Sequence, residues 1–172
     1  MRKLLLGSVI ALSGCATMYT PDTRQPMDKY EKVVDIPNVK QEMIYEGSRQ
    51  WIAKSFNSAN AVIQYQDKAT GTVIGKGNMA YPCASVYCMS SSKPMLKFTM
   101  QVDSKDSKAR VSFSDFMVDV PESYNALTGK MAGYNYQIKS DEDKAKTVAI
   151  LDSTINSMVE DIKKTNTTDK NW

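Results

Sequence analysis

The chain has 172 residues, a formal charge of +3 and no histidine. That length carries one domain with a real core but not comfortably two. So small a charge excludes a nucleic-acid footprint and a polybasic membrane segment, and without histidine neither a Ser-His-Asp nor a Cys-His catalytic arrangement exists.

The chain opens with Arg2 and Lys3, then a short, mostly apolar run from Leu4 to Leu12. A positive start and an apolar run too short to span a bilayer read as an export signal. No later stretch is long and apolar enough to span one either. Leu12-Ser13-Gly14-Cys15 closes the run. These four residues resemble the lipobox of bacterial lipoproteins. The resemblance implies that residues 1–14 are cut away as a signal peptide, that the Cys15 thiol is lipidated, and that the new amine is acylated. The competing reading is an ordinary secretory signal with Cys15 incidental. Each buried methylene of an acyl chain contributes about 0.8 kcal/mol, so two or more chains anchor stably. Ala16, rather than Asp, follows the cysteine. In Gram-negative lipoproteins Asp there commonly signals inner-membrane retention. The implied home, for a Gram-negative source, is therefore the outer membrane, with the domain facing the periplasm. Without Arg2 and Lys3 the mature chain carries a charge of about +1.

Residues 15–30 are the lipidated cysteine and a polar tether punctuated by Pro21 and Pro26, reaching at most about 50 Å when extended. A single domain is expected over residues 31–164. Glu31–Ile36 reads as its first strand, ended by Pro37. Asn38 has the chemistry of an N-cap for a helix over 39–55, with Val39, Met43, Tyr45, Trp51, Ile52 and Phe56 at near-helical spacing. Gly47 lowers helix propensity by about 1 kcal/mol relative to alanine and marks a place where the helix lies close against a strand. Trp51 on an apolar helical face is a core residue rather than a ligand platform.

The period then changes to two. Residues 61–66 and 72–77 read as strands joined by turn chemistry at Asp67–Gly71. Gly75 and Gly77 lie inside a strand, which points to a bulge or close packing and not to a nucleotide fingerprint. Met95–Val102 and Ala109–Val118 form a second hairpin around a polar loop, 103–108. Their alternation leaves one sheet face apolar and one polar.

Two stretches look like insertions, near 80–94 and 121–137. The first holds Cys83 and Cys88, separated by four residues. A zinc site would be incomplete with two thiols and no histidine, and the spacing is not that of a C-x-x-C redox pair. In an oxidising compartment a structural disulfide is expected, contributing roughly 2 kcal/mol on the chain-entropy model. The second stretch, broken by Pro121, Asn125, Gly129 and Gly133, reads as a loop bearing Tyr124, Tyr134 and Tyr136. Ser140 and Asp143 resemble a shortened capping box. After them Val148, Leu151, Ile155, Met158 and Ile162 form the stripe of an amphipathic helix to about residue 164. Such a stripe suits a partner, but covering the bare face of this chain's own sheet is the simpler use. Residues 165–172 are a polar tail.

The expected order is β-α-β-β-β-β-α, an α+β domain with an antiparallel sheet of about five strands and two helices on one face. In its first strand, Tyr45, Trp51–Phe56, Val62–Asp67 and Gly71–Gly77, the chain resembles an uncharacterised bacterial lipoprotein domain family with a TATA-binding-protein-like fold. The resemblance runs from about Glu31 to the last helix. It implies a fold and no catalytic residue, and the fold's name implies no DNA binding.

Three functions compete. The first is a non-catalytic envelope binding module, its partner an envelope protein or glycan and its candidate surface Tyr81, Tyr87, Tyr124, Tyr134 and Tyr136, since exposed tyrosines are common contact residues. The alternative for each tyrosine is half-buried loop packing. The second is a cell-envelope hydrolase, left only a Ser-Lys pair or carboxylates such as Asp115, Asp119 and Glu122, which a charged solvent face explains equally well. The third is a structural subunit of an envelope complex, its sheet extended across a dimer. No metal, cofactor or nucleic acid is expected, and the oligomeric state is not legible from these residues.

Overall fold

The computed structural model describes residues 22–56, 63–82, 93–125 and 129–167. Signal peptide, Cys15, Cys83, Tyr87, Cys88 and the tail from 168 lie outside these residues. Strand β1 spans Lys29–Asp35 and helix α1 Gln41–Ser55. Strands β2 (Ile63–Asp67), β3 (Thr72–Ala80), β4 (Met95–Lys105) and β5 (Lys108–Val120) follow. Three short strands, β6 (Ser123–Asn125), β7 (Gly129–Met131) and β8 (Tyr134–Tyr136), precede helix α2, Asp141–Thr167.

The main sheet is antiparallel in the order β1-β5-β4-β3-β2. The expected five strands are joined by a sixth, because β8 pairs with Val118–Val120 of β5. It lies in line with β1 along one edge of β5, whose other edge is taken by β4. The loop expected over 121–137 is therefore partly strand, with β6 and β7 forming a hairpin of their own. Three-residue strands are too short to display a period, which is why the punctuating glycines dominate the sequence pattern there.

The alternation expected for the strands sets the layers. Val73, Leu96, Phe98, Met100, Val102, Val111 and Phe113 are buried on one face, under the helices. Rings cross this core in sequence from α1 to β5: Trp51 to Phe56 at 5.5 Å, Phe56 to Phe98 at 5.3 Å, and Phe98 to Phe113 at 5.4 Å, all edge-to-face. Gly77 makes room for this row. A Cβ there would stand 2.8 Å from Phe98 Cζ and 3.1 Å from Phe56 Cδ1, so the close packing expected of this strand glycine is what the fold uses. In α2, Leu151, Ile155, Met158 and Ile162 are buried as the stripe requires. Ser140 caps the helix, its Oγ accepting from the Asp143 N–H at 3.0 Å. Tyr30 and Lys32 tie β1 to α2 by donating to Asp152 Oδ1 at 2.6 and 2.7 Å.

Four local expectations are corrected. Asn38 does not cap α1; it turns the chain at φ +64°, a conformation asparagine tolerates. The first turn is capped from elsewhere, the Gln41 N–H donating to Asp106 Oδ1 at 2.8 Å. Gly47 packs against α2, not a strand. The 103–108 loop shrinks to a two-residue turn at Asp106 and Ser107, because Asp103, Ser104, Lys105 and Lys108 continue the β4–β5 ladder. The domain also begins before residue 31 and extends beyond 164. Met27 N–H donates to Ile138 O at 2.8 Å, β1 starts at Lys29, and α2 continues to Thr167.

Candidate functional site

On the sheet's other face the strands carry polar side chains: Lys76 and Asn78 on β3, Lys97, Thr99, Gln101 and Asp103 on β4, Arg110 and Ser112 on β5. Register brings them together, with Lys76 opposite Thr99 and Asn78 opposite Lys97. Next to them β5 carries one extra residue. Lys97 and Thr99, two apart, face Met117 and Ser114, three apart, and Asp115 within this bulge has φ +56°. A bulge bends its strand and re-aims the side chain it carries. Here it opens a cavity of about 340 Å³ lined by Lys76, Asn78, Lys97, Thr99 and Asp115.

A charged network lies beside this cavity. Asp103 accepts from Thr72 Oγ1 at 3.0 Å, Gln101 Nε2 at 2.9 Å and Arg110 Nη2 at 2.8 Å. Burial pushes the Asp103 carboxyl up, but the hydrogen bonds from Gln101, Arg110 and Thr72 outweigh it and hold the group below the usual carboxylate range. Lys97 pairs with Asp119 at 2.6 Å, and Lys130 with Glu122 at 2.9 Å. Two of the three carboxylates considered for hydrolysis are thus engaged with lysines, and the third sits in the bulge. Among the described residues no cluster of three or more His, Cys, Asp or Glu side chains has metal-binding geometry.

The tyrosines divide. Tyr124 and Tyr134 are exposed, at 73% and 58%. Tyr134 and Tyr136, two apart on β8, stack with ring centroids 6.1 Å apart. Tyr136 is half-buried and lines a groove of about 540 Å³ with Arg24, Asn135, Gln137 and Lys139. Tyr81 is no surface residue; it is 5% exposed and belongs to the core. Its N–H donates to Pro94 O at 2.8 Å, so the inward alternation of Val73, Gly75, Gly77 and Met79 runs on to place the ring under the start of α2. There its hydroxyl lies 3.4 Å from the carbonyl of Asp143. Carrying the period past Ala80 in the sequence would have found this. Tyr87 and the cysteine pair lie outside the described residues.

Burial pushes the Tyr136 hydroxyl up to about 12, with Tyr81, Asp143 and Tyr134 adding to it, and burial with the Asp152 hydrogen bond does the same for Tyr30. An ordinary tyrosine titrates near 10. An alkaline titration followed by tyrosinate absorbance is therefore expected to show a late phase near pH 12. Tyr30→Phe and Tyr136→Phe should each remove part of it. Because the folded values lie above the unfolded one, the stability linked to them is present below about pH 10 and lost as pH rises through about 12. A titration without that phase contradicts the packing described for both rings.

An antiparallel sheet with two helices packed on one face is the TBP-like architecture. A family described as a domain of unknown function (DUF4468) with TBP-like fold matches residues 30–119, and the chain belongs to that family. Among solved structures it is similar to a DUF4468 family protein from Bacteroides ovatus, at 16% identity over 84% of this chain and 88% of that one, with a TM-score of 0.52. A TBP-like protein from Parabacteroides distasonis is similar at 15% identity, over 78% of this chain and 92% of that one, with a TM-score of 0.58. No curated protein matches the chain. Likeness at these identities concerns the fold alone.

Proposed function

We propose that this protein is a non-catalytic binding module, held on the outer membrane by acylated Cys15 and engaging an envelope protein or glycan through the open face of its sheet. The observation that carries the reading is that face itself, uncovered by either helix and indented at the bulge beside Lys76, Asn78, Lys97 and Thr99. Ligand sites are concave and set by a few convergent polar groups. The lipobox resemblance supports the anchor. The pairing of Asp119 and Glu122 with lysines supports binding over hydrolysis, because those carboxylates are engaged as surface ion pairs.

Crosslinked capture from native envelope tests this, comparing the wild-type protein with a Lys76→Glu, Lys97→Glu variant. Both side chains are exposed, so the variant is expected to fold and to lose the wild-type partner. Undiminished capture by the variant would remove the open face from the proposal.

A further inference from the structure

We infer that the corner of the domain built by β8 and the β6–β7 hairpin docks on the phospholipid surface, with Tyr134 and Tyr124 at the headgroup level. This rests on the lipid-anchor reading of Cys15. The chain between Cys15 and Asp22 reaches at most about 25 Å even when fully extended. A domain of this size is about 40 Å across. The leash is therefore shorter than the body it holds, and the side on which it arrives must face the membrane.

That side is defined by the described chain. Asp22 and Arg24 line the groove that Tyr136 and Asn135 also line. Met27 is hydrogen-bonded to Ile138, two residues beyond β8. Tyr136 carries Tyr134 stacked on it, and Tyr134 is exposed. Among the described residues Tyr124 is the most exposed large hydrophobic side chain, and it lies on the hairpin that leads into β8. Tyrosine rings favour the membrane–water interface, where one end is apolar and the other wet.

Charge does not drive the contact. Arg24 is paired with Asp22 at 2.9 Å and Lys130 with Glu122 at 2.9 Å, and Lys139 shares the groove with Asp143, so the corner offers no net cationic patch to anionic lipid. Docking is accordingly insensitive to salt and proceeds on neutral bilayers.

The test uses the full chain, expressed in a Gram-negative cell, extracted from its membranes and reconstituted into neutral phosphatidylcholine vesicles with brominated acyl chains. Tyr134→Trp and Tyr65→Trp are compared in a Trp172→Phe background, and the signal of the parent chain is subtracted. Tyr65 is half-exposed on β2, four strand spacings or about 19 Å across the sheet from β8. The indole from Tyr134→Trp should lose roughly half its emission to bromine, unchanged by salt, while that from Tyr65→Trp should not. Equal quenching at both positions overturns the docking. So does a blue-shifted but unquenched indole at position 134, which would mean that protein and not lipid covers the corner. Intact mass of the same sample separates the two claims. Acyl mass on Cys15 without quenching ends the docking and leaves the anchor; absence of acyl mass ends both.

Discussion

Phe113→Ala is expected to destabilise the domain by about 3–5 kcal/mol, the range for removing a large aromatic side chain from a core. Phe113 is fully buried near the middle of β5, opposite Tyr30 on β1 and Met100 on β4. It ends the row of edge-to-face rings that begins at Trp51, so its loss leaves a cavity and strips Phe98 of one of its two ring neighbours. Both flanking strands are fixed by long ladders, which limits how far the site collapses. Domains of this kind are stable by about 5–15 kcal/mol in all, so one substitution removes a large share. Urea unfolding should show a lower midpoint with an unchanged slope. Tyr124→Ala, on the exposed hairpin, should stay within about 0.5 kcal/mol of the wild type. A small effect at Phe113 would contradict the core as described.

Gly47→Val is expected to cost about 3 kcal/mol. A Cβ at position 47 would stand 2.8 Å from Ile162 Cγ1 and 3.5 Å from its Cβ. Ile162 is itself buried, so its side chain or α2 as a whole must shift to admit even one methyl group. Two effects compete for alanine: helix propensity gains about 1 kcal/mol over glycine, and overpacking costs about 1–3. Overpacking prevails, and Gly47→Ala is mildly destabilising. Valine adds two further methyls and stiffens χ1, so nothing offsets the strain. A double-mutant cycle checks the cause. Ile162→Ala leaves space at the helix crossing, and adding Gly47→Ala to it should then be favourable, reversing the sign seen in the wild type. Additive effects would mean that the two helices do not meet at these residues.

Much of this was legible because the governing patterns are local. The stripe through Leu151, Ile155, Met158 and Ile162 needs only a helical period, and Phe98 and Met100 against Val111 and Phe113 need only alternation. What escaped depends on residues distant in the chain. Asp106 caps α1 from 65 residues away, a bond no capping pattern near Asn38 reveals. Gly47 signalled a close approach, but its partner became visible only with α2 in place. The bulge at Asp115 shifts the inward parity from Phe113 to Phe116; the sequence shows that break in alternation, but the register that makes it a bulge exists only once β4 is paired. The cavity it opens is likewise a product of register: Lys76 and Asn78 lie about twenty residues before Lys97 and Thr99 and meet them only across the β3–β4 ladder. Tyr81 keeps the inward parity of Val73 and Gly77, but Pro82 and the cysteine-bearing stretch directly after it mask that continuation.

The most direct test of the central claim is site-specific photocrosslinking in the intact envelope, with a photoreactive residue at Thr99 on the open sheet face or at Glu160 on the exposed side of α2. A discrete adduct is expected from position 99, competed by unlabelled protein, and none from position 160. A discrete adduct from position 160 with none from 99 would contradict the claim, because partner binding would then run through the helices and the open face would have no part in it.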